Sequence, residues 1–336
     1  MTAWAWDDDA GPARLRDELA LRGYATVRVG DAAREAAATP WGFAERLFRE
    51  PPRMVERQPI RAVAGGRSFA STDVFTPLHT DSQLYLGAPP AAQVMVCARP
   101  AALGGDTHLV DAWSLCALIE RDDPALFDAL LHTPRRMPFV FGDVYGPTLA
   151  LRGGALAFTH SPVDTPRDLV SARLAPHLAR AARIAMRVEA GEALVVDNLR
   201  MLHGRSAFRD AGREFVRLLV WRVTACGDHP RYRALCAPIE AATRRALAGA
   251  PLRVRARFGA CAGADDEAAR RLRLVLEMLR GVPPGVLAAR ASVPEEELYA
   301  WRDAALAEAL EAVGRVDRNA DAAALDAALD ARRARR

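Results

Sequence analysis

The chain has 336 residues, half of them hydrophobic, which is enough for one or two packed domains. Its formal charge of +4 is carried by arginine with no lysine, which reads as a compositional bias rather than a nucleic-acid surface. No apolar run approaches the length of a membrane span, and the N-terminus lacks the basic-then-apolar pattern of a secretory signal, so neither is expected.

The five cysteines lie at 97, 116, 226, 236 and 261 with no Cys-x-x-Cys spacing. That argues against a disulfide framework and a zinc site, and a reducing cytoplasm is the expected location.

Residues 14–29 read as a helix, "RLRDELALRGY", followed by the strand "ATVRV". Strand patterns then dominate: "AAQVMVCA" (91–98), "THLVD" (107–111), "ALAFTH" (155–160), "EALVVDN" (192–198) and "EFVRLLVWRVT" (214–224). The glycine pairs at 104–105 and 153–154 punctuate them as turns, and a helical insert covers 111–132. Strands linked this irregularly, with a few covering helices, predict an α+β chain built on a β-sandwich or barrel. After Gly227 the strand patterns stop and helical spacing takes over. Two domains are therefore expected, 1–227 and a helical 228–336, with the arginine-rich end frayed or solvated.

Within "PLHTDSQLYLG" (77–87), His79 and Asp81 would point to one face of a strand. Such a pair can begin a metal site. A mononuclear iron oxygenase needs two imidazoles and a carboxylate on one side of the metal, leaving the other side open. The third ligand should come from a distant strand end, and His203 in "EALVVDNLRMLHGRSAF" is so placed. His160 is the best competitor; His108, His132, His177 and His229 read as surface or satisfied core residues. In "GREFVRLLVWRV", Arg213 and Arg217 share a strand face with Phe215, Leu219 and Trp221. A guanidinium on such an inward face needs an anion, and a dicarboxylate cosubstrate would supply one.

These segments resemble the iron(II)/2-oxoglutarate dioxygenases of the taurine dioxygenase, γ-butyrobetaine hydroxylase and clavaminate synthase type. The carriers are "LHTD", "GGDTHLVDA" and "DNLRMLHGRSAF" followed by "REFVR", spanning roughly 70–224 with a weaker extension to the N-terminus. The resemblance implies a double-stranded β-helix (jelly-roll) core. It implies that His79, Asp81 and His203 bind Fe(II), and that Thr107 and Arg213 hold the distal carboxylate of 2-oxoglutarate. Arg217 would support the cosubstrate site or meet an anionic substrate. With O2 as the other cosubstrate, hydroxylation, desaturation or another oxidation of a small polar molecule is implied, by analogy an amino acid or derivative, free or carrier-bound, with release of succinate and CO2. Related halogenases lack the carboxylate, so Asp81 argues against chlorination. The stretches "SQLYLG", "RRMPFVFGDVYG" (135–146) and "THSPVD" (159–164) are expected pocket walls, while Asp111 reads as a helix N-cap and Asp197 and Asn198 as the turn presenting His203.

Residues 282–306 resemble a helix-turn-helix, with Ser292 and Glu295 forming a capping box and Leu298, Trp301 and Ala305 a buried stripe. The alternative this raises is a nucleic-acid-associated oxygenase or regulator. Glu295, Glu296 and Glu297 at the start of the second helix would repel DNA, so nucleic acid is not the expected partner; packing, a substrate lid or a homo-oligomer through these helices is preferred.

Overall fold

The structure is a computed structural model that describes all residues except 1–3, 7–9, 31, 67, 85–86, 140–142, 164–167, 211, 223, 251–254, 256, 260–265, 280–281, 315–326 and 328–336. Cys261, most of the arginine-rich end and parts of the three expected pocket walls lie outside the described residues.

A jelly roll of two facing sheets forms the centre. The major sheet contains β1 (Trp4–Ala5), β2 (Tyr24–Arg28), β3 (Met54–Ile60), β5 (Ala92–Arg99), β12 (Glu192–Asp197) and β14 (Glu214–Trp221), in the order β1-β2-β12-β5-β14-β3. The minor sheet contains β4 (Thr76–His79), β6 (Thr107–Asp111), β11 (Ile184–Met186) and β13 (Met201–Arg205), in the order β11-β6-β13-β4. Two short antiparallel pairs complete the strands, β7 (Arg135–Met137) with β8 (Val144–Gly146) and β9 (Leu149–Arg152) with β10 (Ala155–Phe158).

Side-chain alternation produces three packed layers. Between the sheets lie Ile60, Cys97, Leu194, Val196 and Phe215 of the major sheet against Leu109 and Met201 of the minor one. The major sheet's outer face, with Val27, Val94, Val195 and Val220, is covered by α1 (Gly11–Arg22), α2 (Ala32–Ala38) and α3 (Pro40–Phe48) through Leu15, Leu19, Ala36, Phe43 and Leu47. The minor sheet's outer face, with Leu78, Val110 and Leu202, is covered by α4 (Ala112–Asp122), α5 (Pro124–His132) and α6 (Leu169–Arg180). Each fully buried Leu or Val contributes about 1.5–3 kcal/mol, so these layers rather than helix propensity hold the covering helices in place.

The insert expected as one helical block is two helices. Asp123 leaves helical geometry (φ −146°, ψ 70°), its carboxylate accepts from the Leu126 amide, and Pro124 opens the next helix. Asp111 caps α4 through the Trp113 amide, as its position suggested.

The change of texture near residue 228 does not coincide with the edge of the core. Helix α7 (Pro230–Ala246) places Tyr232 and Cys236 in the same cluster as Trp113, Leu126 and Leu149. Three further helices, α8 (Asp266–Leu279), α9 (Pro284–Ala291) and α10 (Glu295–Gly314), gather around Leu274, Leu287 and Leu298. Leu276 joins them to Met54, Leu219 and Trp221 of the major sheet. Ser292 does not begin α10: it ends α9 in the left-handed conformation (φ 54°), its amide bonded to the Ala288 carbonyl. Leu298 is buried and Trp301 packs beside it. Among the described residues no helix is long and apolar enough to cross a membrane.

Candidate metal centre

Strands β4 and β13 are neighbours, and their register sets His79 opposite His203. Leu78 and Leu202 turn to the helix-covered side, so the histidines next to them turn inward, between the sheets. The two imidazole centroids are 4.4 Å apart. His203 thus lies inside a strand rather than just beyond one.

Asp81 departs from the expected strand position, because β4 ends at His79. Asn198, in the turn between β12 and β13, holds it instead. The Asn198 side-chain oxygen accepts from the Asp81 amide at 2.9 Å, and its nitrogen donates to the carbonyls of Asp81 at 2.7 Å and Pro90 at 2.9 Å. One ligand atom from each of His79, Asp81 and His203 then lies within 4.8 Å of the other two. His203 Nε2 is 3.5 Å from Asp81 Oδ2.

The electrostatics suit a cation. His79 Nδ1 lies 2.8 Å from the Pro77 carbonyl, which can only accept, so Nδ1 carries the proton and Nε2 keeps its lone pair. Burial, aided by His203, lowers the His79 pKa to about 4. Burial pushes Asp81 up, but Arg217 and the two imidazoles outweigh it and hold the carboxyl well below the usual carboxylate range. Metal–ligand bonds of about 2.1 Å place adjacent ligand atoms about 3 Å apart. Two imidazoles and an ionised carboxylate at these separations fit a divalent metal held from one side.

Two cavities meet at this point. The smaller, about 70 Å³, is bounded by His79, His203, Gln93, Thr107, Arg213 and Arg217 among others. Arg213 is 2% exposed, sandwiched between the rings of Phe215 (4.1 Å) and Phe208 (5.2 Å), and its Nη1 has no hydrogen-bond partner among the described residues. Burial and the nearby Arg205 lower its pKa to about 10, which leaves it charged at neutral pH. Gly105 admits it: its φ is positive, and a side chain there would press on Arg213 Nε at 3.1 Å. The larger cavity, about 770 Å³, is bounded by His79, Asp81 and Arg217 among others, and shares His79 and Arg217 with the smaller one. Gln83, Phe139, Pro162 and Val163, one or two from each expected wall segment, help to line it.

Arg217 spans both cavities and donates to Asp81 Oδ1 at 3.2 Å and to the Gln58 side-chain oxygen. His108 projects from β6 next to Thr107 but does not bound the smaller cavity. His160 is held at its backbone by Thr80 and is not part of the ligand cluster; burial, then Arg135, lowers its pKa to about 3.

Sequence reasoning missed Gln93. Its amide nitrogen donates to Asp81 Oδ2 at 2.6 Å and lies 3.0 Å from His203 Nε2. The available signal was a lone polar residue in the apolar run "AAQVMVCA". Glu56 and Gln58 were missed too, although they alternate with Met54 and Ile60 on one face of β3.

A family model described as "Taurine catabolism dioxygenase TauD, TfdA family" matches residues 2–168 and 160–219. The chain belongs to the TauD, TfdA family. Gamma-butyrobetaine dioxygenases from Homo sapiens and Pongo abelii are each 24% identical over 168 residues, a match covering 42% of this chain and 42% of theirs. An asparagine oxygenase solved with Fe(II), 2S,3S-3-hydroxyasparagine and succinate shares the fold. It aligns over 72% of this chain and 81% of its own, at 16% identity and a TM-score of 0.50. The TauD, TfdA match ends just before Val220, so it covers the jelly roll and leaves α7 to α10 outside.

Proposed function

We propose that the protein is an iron(II)- and 2-oxoglutarate-dependent oxygenase. It would hydroxylate, or otherwise oxidise, an unactivated C–H bond of a small polar substrate, an amino acid or derivative, free or carrier-bound. The observation that carries this reading is one cavity bounded both by two inward imidazoles and by a buried guanidinium without an anion. Membership of the TauD, TfdA family supports it.

His79, Asp81 and His203 hold the metal in this reading. Bound iron(II) would supply oxygen activation and C–H oxidation, coupled to conversion of 2-oxoglutarate to succinate and CO2. The chain's own part is placement. Arg213 takes the distal carboxylate of 2-oxoglutarate through paired N–H donors, with Thr107 beside it. Arg217 and Gln93 fix the Asp81 carboxylate. The sheets exclude water, since Asp81 and His203 are each only 6% exposed. The substrate enters by the larger cavity, which reaches His79 and Asp81 and is not lined by Arg213.

The test is succinate formation by the purified full chain with Fe(II), 2-oxoglutarate and a panel of amino acids and related amines. Anaerobic 2-oxoglutarate should add a visible charge-transfer band to the iron-loaded protein. No iron binding together with no succinate above background from any candidate would overturn the reading.

A further inference from the structure

Strand register gives the inner face of the major sheet a polar strip. Glu56 and Gln58 of β3 sit opposite Leu219 and Arg217 of β14, and Leu219 in turn pairs with Gln93 of β5. With strands spaced about 4.8 Å, Glu56 and Gln93 stand about 10 Å apart on the same face. Their side chains are joined through hydrogen bonds. The Gln58 amide nitrogen donates to Glu56 Oε1 at 2.5 Å, the Gln58 oxygen accepts from Arg217, and Arg217 donates to Asp81 at 3.2 Å.

This hydrogen-bonded series has a carboxylate at each end and one guanidinium, whose two Nη atoms donate to Gln58 and Asp81 while its Nε has no hydrogen-bond partner among the described residues. Among the described residues, Glu56 Oε2 is covered and has no hydrogen-bond partner. Gln83, two residues beyond Asp81 and 5% exposed, likewise has a covered side-chain oxygen without a donor. Both residues line the 770 Å³ cavity that reaches His79 and Asp81. Much of the remaining wall is apolar, from Phe69, Val74, Phe139, Pro162 and Val163. Covered acceptors without donors are destabilising until a donor arrives. A protonated primary amine brings three donors and one positive charge, enough to serve Glu56 and Gln83 together.

We propose that Glu56, assisted by Gln83, is the cation-recognising pole of the substrate cavity, and that the substrate carries a free, protonated amine on a largely apolar carbon frame. Glu56 is then the specificity-determining residue. The frame extends from it toward the His79, Asp81 and His203 cluster, and a carboxylate on the substrate could meet Arg217. The placement of the reacting end rests on the oxygenase reading above; the amine site does not.

The experiment is binding calorimetry without turnover. The full chain, metal-free and again loaded with Mn(II) and 2-oxoglutarate, is titrated with the common L-amino acids and taurine, each beside its N-acetyl counterpart. A charge-assisted hydrogen bond lost from a buried site weakens binding about tenfold or more. Free amines should therefore bind at least about tenfold tighter than their N-acetyl forms. Glu56→Gln should abolish that difference and Gln83→Leu should reduce it, while both variants keep wild-type affinity for Mn(II) and 2-oxoglutarate, which also reports that they are folded. Equal binding of N-acetyl forms, undiminished amine binding by Glu56→Gln, or a panel in which no free amine binds would each overturn the proposal. Failure of Mn(II) and 2-oxoglutarate to bind would instead sink the oxygenase reading, with the metal-free titration still deciding the amine site.

Discussion

One amide touches two of the three candidate metal ligands: Gln93 donates to Asp81 across 2.6 Å and stands 3.0 Å from His203. With Gln93 on Oδ2 and Arg217 on Oδ1, the Asp81 carboxylate is fixed in orientation beside His203. Groups that orient metal ligands this way are commonly worth about 10–100-fold in metal affinity. Gln93→Leu keeps the size of the side chain and removes the donor, so it should weaken Mn(II) or Co(II) binding about tenfold in a competition titration while the melting temperature holds. Tighter binding would mean that the amide acts chiefly as a competitor for His203.

Arg213 carries a prediction with two signs. Its charge is buried between Phe208 and Phe215 with Nη1 unsatisfied, so without an anion it strains the fold. Replacing even a buried ion pair by well-packed apolar residues is often neutral or stabilising by about 1–4 kcal/mol, and a lone buried charge lacks the pair's attraction. Arg213→Leu should therefore leave the ligand-free protein as stable as wild type or more so in urea titrations. The same variant should lose about 2–5 kcal/mol of 2-oxoglutarate affinity, the usual effect of truncating a buried charge pair. A less stable ligand-free protein with unchanged 2-oxoglutarate binding would refute the assigned role.

Much of the site was legible because its chemistry is rare and spaced. His79, His203 and Arg217 are charged or ligating residues inside strands, Asp81 and Arg213 lie one or two residues from a strand end, and alternation says which way the strand residues face. What was not legible depended on long-range pairing. Nothing local says that "MLHGR" is itself a strand, since its pairing partners β4 and β6 lie about a hundred residues away. Asp81 seemed to belong to a strand with His79, but a clamp from residue 198 holds it. β3 was hidden by Pro59 and by polar Glu56 and Gln58, whose inward direction follows only from pairing with β14. At Ser292 a capping-box pattern lost to a left-handed helix end that serves the preceding helix.

The Asn198 clamp should show an order of variants rather than a single loss. Asn198 is 1% exposed and satisfies the amide and carbonyl of Asp81 and the carbonyl of Pro90. Alanine strands these groups, at about 1–3 kcal/mol for a buried unsatisfied partner. Aspartate is worse in spite of its shape, because an ionised carboxylate cannot donate and would face two carbonyl oxygens. Denaturation midpoints should fall in the order wild type, Asn198→Ala, Asn198→Asp, with metal affinity following. If aspartate proved equal to asparagine, the clamp as described would be wrong.

Asp197 should give the folded protein a pH dependence of its own. It is fully buried; its Oδ1 accepts from the Leu199 amide and its Oδ2 has no partner. Burial raises its pKa from 3.8 to about 7, against the opposing pull of the Leu199 amide and Arg200. Between about pH 4 and 7 the unfolded chain has released this proton while the folded chain retains it. Fewer protons on the unfolded state means that stability falls as pH rises through that window, by up to about 4 kcal/mol for a shift of this size. Asparagine cannot ionise and keeps the oxygen that accepts from Leu199. Relative to wild type, Asp197→Asn should therefore gain stability progressively from pH 4 to 7.5, whatever constant offset its buried amide introduces. Urea titrations at four or five pH values would read this directly, and a difference that stayed flat across the range would show that Asp197 is ionised in the folded protein at acid pH.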